Sequence, residues 1–156
     1  MTPNTAYPIT IYYDASCQIC DSEMQNIKLH DAHNRLVLID CSPPEFDDTG
    51  FAAFGITRQA MMHRLHARDA EGRWLIGVAA FEEIYQSVGL AVMSKLWGSR
   101  WTRPLNEILY PWVADNRYLL SKLGLPKLFR LWGKHAARQA EKRSRSCSEG
   151  RCTPEQ

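Results

Sequence analysis

The chain has 156 residues, 45% of them apolar and 23% charged, with a formal net charge of +2. That length fits one domain with a small addition, and that composition belongs to a soluble globular protein rather than a disordered or fibrous one. The charge is uneven: residues 1–126 carry 11 Lys/Arg against 14 Asp/Glu (−3), and residues 127–156 carry 8 against 3 (+5).

The basic end has no aromatic interleaving and no nucleic-acid motif, so it reads as a solvated helix face and tail rather than a nucleic-acid surface. Met1 to Thr5 lacks the basic and apolar regions of a signal peptide. The charge-free run Ile84 to Ser94 is too short to span a bilayer. A cytoplasmic location is the expectation. In that compartment a Cys-x-x-Cys favours redox chemistry or metal binding over a structural disulfide. The five cysteines are Cys17, Cys20, Cys41, Cys147 and Cys152, an odd count that argues against simple structural pairing.

Ile9 to Tyr13 predicts a first strand, buried on both faces because it is almost continuously apolar. A helix follows from the cysteine turn. Cys20, Met24 and Ile27 share one of its faces, and it fades between His30 and Asn34. Leu36 to Ile39 predicts a second buried strand, and the three pieces make a right-handed βαβ unit with parallel strands. Pro43-Pro44 break the pattern, and Phe51 to Phe54 suggests a short helix stopped by Gly55.

Met61, His63, Leu65 and Ala67 alternate with other residues, which predicts a strand over 61–67 with His63 and His66 on opposite faces. Asp69 to Gly72 is a turn whose glycine takes positive φ, and Arg73 to Gly77 returns as the second arm of an antiparallel hairpin. Val78, Phe81, Ile84, Tyr85 and Val88 define a helix closed by Gly89. The order β-α-β, connecting helix, β-β-α predicts an α/β fold of thioredoxin-like topology, a three-layer domain with a mixed sheet of about four strands between helices.

Beyond Gly89 the pattern is helical. Leu105, Ile108, Leu109, Trp112 and Val113 share one face, with Pro111 placed to kink it, and Leu125, Leu128, Phe129 and Trp132 form another stripe. Four of the five tryptophans lie in this part. Packing against the domain is the expected use of these faces, with a partner-binding or membrane-surface helix as the alternative. The divisions are a core over 7–89, a helical extension over 90–140 and a basic, aperiodic tail over 141–156.

Asp14-Ala15-Ser16-Cys17-Gln18-Ile19-Cys20 joins the first strand to the first helix. A thiolate, not a thiol, attacks disulfides, and a helix N-terminus stabilises it through unpaired N–H groups and the dipole. Cys17 stands at that position and is the expected nucleophile. Cys20, one turn on and expected to be the more buried, is the resolving thiol. Asp14 suits either a proton relay for Cys20 or a turn organiser, and an ionised Asp14 would oppose the dipole at Cys17. Ser16 suits a hydrogen bond to the thiolate or a cap. Cys41 reads as a buried structural thiol.

Zinc is the chemical rival, but it needs a second ligand pair from Cys41, Cys147, Cys152 or a histidine. Cys147 and Cys152 also suit a resolving or regulatory pair, or incidental thiols. Neither an organic cofactor nor a metal is required by the leading reading. Gln18-Ile19 puts no positive charge between the cysteines, which favours a reducing couple.

Tyr13-Asp14-x-x-Cys17-x-x-Cys20, Gly72, Gly77-Val78-Ala79-Ala80-Phe81 and Asn116-Arg117 together resemble the DCC family of predicted thiol-disulfide oxidoreductases, over roughly Ile9 to Leu120. The resemblance implies a thioredoxin-like fold and thiol-disulfide exchange through Cys17 and Cys20. The implied partners are a protein or small-molecule disulfide and a thiol reductant, either a thioredoxin system or glutathione.

Two departures stand out. The family usually has glycine where Ala15 stands. Thioredoxins and glutaredoxins also carry a cis-proline before the third strand, whereas Arg58 to Met62 has no proline. Met61 or Met62, together with Ser16, is therefore the candidate lining for a substrate. Two rival functions keep the fold or the cysteines but drop the catalysis: a thioredoxin-like binding module and a zinc-binding protein.

Overall fold

The computed structural model describes residues 5–123. The stripe from Leu125 to Trp132, the 141–156 tail and the Cys147/Cys152 pair lie outside the described residues.

Strand β1 (Ile9–Tyr13) leads through the cysteine turn into helix α1 (Gln18–His30), and β2 (Leu36–Asp40) follows. The link between α1 and β2 is built by Asp31. Its carboxylate accepts the backbone N–H groups of Arg35 (2.8 Å) and Leu36 (3.0 Å) and the Lys28 ammonium (2.7 Å). Holding β2 there lets it pair with β1 in parallel, from Ile9 opposite Leu36 to Tyr13 opposite Asp40.

After a 3₁₀ turn (Thr49–Phe54) come α2 (Arg58–His63), β3 (His66–Arg68) and β4 (Trp74–Ile76). Strand β3 pairs antiparallel with both β1 and β4, giving the sheet order β2-β1-β3-β4. Helices α3 (Val78–Ser87), α4 (Ala91–Gly98), α5 (Arg103–Asp115) and α6 (Arg117–Lys122) complete the described chain. This is the expected thioredoxin-like α/β arrangement with a four-stranded mixed sheet.

Alternation along β1 divides the core. Ile9, Ile11 and Tyr13 pack with Met24 and Ile27 of α1 and with Phe81, Ile84 and Tyr85 of α3. Tyr12 points to the other face, where Cys41, Ile56 and Met61 gather. Ile9, Ile11, Ile27 and Ile84 have no exposed surface, and each such burial contributes about 1.5–3 kcal/mol. The sheet is thus covered on both sides, and the end of β1 is held between two apolar layers.

The strand predicted over 61–67 is corrected. Met61 and His63 belong to α2, and the chain becomes extended at Arg64 and enters β3 at His66. Thr57 starts α2 by accepting the Ala60 N–H on its side chain at 3.2 Å, a cap that overrides the short alternation. His63 and His66 therefore do not share a strand. The turn at Asp69–Gly72 is present. The Asp69 carboxylate accepts the N–H groups of Glu71 and Arg73, and Gly72 has φ +87°.

The Leu105 stripe of α5 is only partly covered within the described residues. Leu105, Ile108, Leu109 and Trp112 are 47–75% exposed. The face of α5 that turns inward carries Tyr110 and Ala114 instead. Tyr110 sits edge-on to Phe81 (5.5 Å between ring centroids), and Trp97 of α4 stacks on Phe81 at 4.4 Å. Helix α5 runs through Pro111 to Asp115. No helix among the described residues is long and apolar enough to cross a membrane.

Candidate active site

The turn after β1 is fixed by two carboxylates. Asp40, at the end of β2, accepts the N–H of Ala15 (3.1 Å) and the N–H of Ser42 (2.8 Å). Asp14, at the end of β1, is 3% exposed and accepts four hydrogen bonds. Its Oδ1 takes the Ser16 N–H (3.0 Å) and the Ser16 hydroxyl (2.5 Å). Its Oδ2 takes the Arg117 guanidinium (3.1 Å) and the Tyr118 hydroxyl (2.5 Å). Ala15 needs no glycine, because Asn34 is the only described non-glycine residue with positive φ.

Cys17 is the N-cap of α1, with extended backbone. Its sulfur accepts the Cys20 N–H at 3.4 Å and the Cys20 thiol at 2.6 Å. Both cysteines are free thiols. The Cys20 thiol hydrogen bond is the main influence that brings the Cys17 thiol down to about 6, helped by the Cys20 N–H and the Arg117 charge and opposed by burial and Asp14. Cys20 moves the opposite way: it keeps its proton facing the Cys17 sulfur and is partly desolvated, so its own ionisation is pushed up. Of the two sulfurs, Cys17 is therefore the one that favours the negative charge.

Exposure is the reverse of the sequence expectation. Cys17 has no exposed surface, whereas Cys20 is only partly buried. Helix α6 packs on α1, and the Tyr118 hydroxyl lies 3.4 Å from that of Ser16, so the turn is covered from the C-terminal side. Cys20 instead lines an apolar cavity of about 760 Å³. Met61 and Met62 line it too. Met61 is 1% exposed, with its sulfur 3.7 Å from that of Cys41, while Met62 keeps part of its surface. Burial lifts the Cys41 thiol to about 12, so it is inert at neutral pH. Ser16 is exposed and its hydroxyl donates a hydrogen bond to Asp14.

Sequence reading gave Arg117 and Tyr118 no role at the turn. Asn116-Arg117 was visible only as a matching dipeptide. Glu23 was also missed, although it follows Cys20 by one turn of α1 and lines the same cavity. Among the described residues no group of three or more His, Cys, Asp or Glu is placed to hold a metal.

A family profile for DCC1-like thiol-disulfide oxidoreductases matches residues 11–123. The chain belongs to that family. The match begins in β1 and ends just past α6, so it takes in both the Cys17/Cys20 turn and the Arg117 that reaches it. Membership in the DCC1-like family supports a general thiol-disulfide oxidoreductase role. An uncharacterised chloroplastic protein of Arabidopsis thaliana is 24% identical over 123 residues, which cover 78% of this chain and 56% of that protein. The chain thus spans about half the length of the curated relative it matches. No solved structure matches the chain.

Proposed function

We propose that this DCC1-like protein exchanges disulfides through Cys17 as nucleophile and Cys20 as resolving thiol. The Cys17 thiolate attacks one sulfur of a target disulfide, forms a mixed disulfide and expels the other target sulfur as a thiolate. Cys20 then attacks the Cys17 sulfur, the Cys17–target bond breaks, and the second target sulfur leaves. The protein's dithiol has lost two electrons and the target disulfide has gained them. A thiol reductant, a dithiol protein or glutathione, restores the starting state.

One observation carries this reading: at the start of α1 the Cys17 and Cys20 sulfurs lie 2.6 Å apart, near enough to close a disulfide with little movement, and the Cys17 sulfur also accepts the Cys20 N–H. Asp14 serves as the organiser of the turn. Met62, which lines the cavity without being buried in the core, is the proposed substrate contact, while Met61 supports it from beneath. Because Cys17 is covered, the target reaches it by displacing the α6 side of the turn. We place the protein in the cytosol.

The reducing direction inferred from Gln18-Ile19 rested on the absence of positive charge between the cysteines. Arg117 brings such a charge from α6 and lowers the Cys17 thiol. Stabilising the thiolate favours the dithiol state and raises the reduction potential. The couple is therefore proposed to be of intermediate potential, suited to reducing strained or exposed target disulfides.

The test is to incubate Cys17→Ser and Cys20→Ser variants with an oxidised protein substrate. Cys17→Ser is expected to be inactive and Cys20→Ser to accumulate a mixed disulfide through Cys17. Failure of Cys20→Ser to trap any mixed disulfide overturns the reading.

A further inference from the structure

The dithiol reading leaves one proton without a destination. While Cys17 is a thiolate, it holds the Cys20 proton by hydrogen bond. Once Cys17 is tied up in a mixed disulfide, that acceptor is gone. Cys20 must still lose its proton to attack, and its buried setting disfavours the thiolate. An acceptor held beside Cys20 would speed that loss.

Asp14 is poorly suited, because both its oxygens are already engaged: Oδ1 by Ser16, and Oδ2 by Arg117 and Tyr118. The other charged or titratable groups around the cavity can be taken in turn. Arg64 and His63 are both engaged with Asp115 at the outer rim, at 2.8 and 3.3 Å. Arg117 is permanently charged. Tyr13, Tyr85 and Tyr110 are phenols pushed up by burial and hold their protons.

Glu23 remains. It stands three residues after Cys20 on α1, which puts the two Cβ atoms about 5–6 Å apart on one face. Both residues line the cavity. Its Oε1 accepts the Tyr85 hydroxyl from α3, which fixes the carboxyl's position.

We propose that Glu23 is the proton acceptor for Cys20 in the resolving step, positioned by Tyr85. The Cys20 S–H bond breaks and its proton passes to the Glu23 carboxylate, directly or through one water in the cavity. The Cys20 electron pair forms the bond to the Cys17 sulfur, and the target sulfur leaves with the pair from the broken Cys17–target bond. It then takes the proton from Glu23 or from solvent. Reduction of the Cys17–Cys20 disulfide by the thiol reductant runs the same path backwards. Burial lifts Glu23 above the ordinary carboxylate range, with the Tyr85 hydrogen bond opposing, and this brings acid and thiol closer in strength.

The inference rests on the dithiol reading, and a two-phase assay separates the two. The reduced 156-residue chain, with Cys147 and Cys152 replaced by serine, is mixed with a chromogenic aromatic disulfide. Attack by Cys17 releases the first coloured thiolate and resolution by Cys20 releases the second. Glu23→Gln keeps an acceptor for the Tyr85 hydroxyl but cannot take a proton. It is expected to leave the first phase within twofold of wild type and to slow the second by about 10²–10⁴-fold near neutral pH. The slowed phase should speed up tenfold per pH unit, following the thiol itself.

Tyr85→Phe removes the bond that opposes the rise in Glu23, so the inflection of the second phase should move to higher pH. This variant also serves if Glu23→Gln does not fold. A second phase in Glu23→Gln within threefold of wild type at every pH, or an unmoved inflection in Tyr85→Phe, overturns the assignment. A missing first phase in the wild type overturns the dithiol reading beneath it.

Discussion

Arg117 reaches back across 103 residues to place its guanidinium 3.1 Å from the Asp14 carboxylate, three residues before the first cysteine. The side chains are 11% and 2% exposed, so the pair is shielded from solvent on both sides. Removing one member of such a pair leaves an unpaired buried charge, which is worse than removing both. Arg117→Gln is therefore expected to cost about 3–5 kcal/mol of stability. Asp14→Asn combined with Arg117→Gln should recover part of that loss. Denaturant unfolding of the two single variants and the double variant measures the coupling, and strictly additive losses would show that the pair does not interact.

The Cys17 thiol gives a pH signature. Its alkylation rate, followed by peptide mapping of the reduced protein, should rise with pH to a midpoint near 6. Cys20→Ala removes the hydrogen bond that contributes most, so the midpoint should move up toward the ordinary thiol value of about 8.5. An unmoved midpoint would mean that the helix terminus and Arg117 suffice without Cys20.

The same group makes stability depend on pH. Between its folded and unfolded values the unfolded chain binds a proton that the folded chain does not, so stability rises with pH. The contribution is complete above the unfolded value and lost as pH falls through about 6. Cys20 and Cys41 are shifted upward and work against it only above the ordinary thiol range. Between pH 6 and 8 the reduced wild type should therefore gain stability, as read by its denaturant midpoint. Cys17→Ser should flatten that slope.

The two methionines should separate packing from binding. Met61 is 1% exposed against Cys41 and the aromatic face of the sheet, so Met61→Ala should cost about 2–5 kcal/mol. Met62 keeps exposed surface on the cavity, and Met62→Ala should cost less than 1.5 kcal/mol while raising the KM for disulfide substrate. Thermal unfolding and steady-state kinetics on both variants check this. Equal KM values for Met62→Ala and wild type would remove Met62 from the substrate path.

Gly77 tests the link between the sheet and α5. It has φ +61° and ψ −123°, and a Cβ there would lie 3.1 Å from the Tyr110 ring. Tyr110 in turn accepts the Leu65 N–H at 2.8 Å, just before β3. Gly77→Ala is expected to lose about 1–3 kcal/mol from backbone strain, with a further loss if Tyr110 is pushed aside. Thermal unfolding reads the loss, and quenching or recovery of Trp97 fluorescence reports the displaced aromatic cluster.

Most of the sheet was legible because β1 and β2 are short, continuous apolar runs and α1 follows from the cysteine turn. Residues 61–67 were misread because a short alternation fits either period. The deciding signal was Thr57 capping four residues earlier. The apolar face of α5 was seen, but its direction was not. Sequence spacing says which residues share a face, and only the Phe81–Trp97–Tyr110 cluster says which face turns inward. At the site, Asp14 and both cysteines were placed together because they are local in the chain. Arg117 and Tyr118 were not, because nothing near them in the chain marks a partner a hundred residues away. The relative burial of Cys17 and Cys20 was reversed for the same reason: α6 covers the turn, and no local pattern shows that.

The long reach of Arg117 also sets an order of events during synthesis. Asp14 leaves the ribosome 103 residues before the arginine that meets it, with the two cysteines close behind, a delay of about 5–20 s at ordinary elongation rates of about 5–20 residues per second. For that interval the nascent dithiol has neither its cover nor its nearby positive charge. A chain stalled before residue 117 would expose Cys17 with a weaker hold on its negative charge, and it is the finished protein that protects and tunes it.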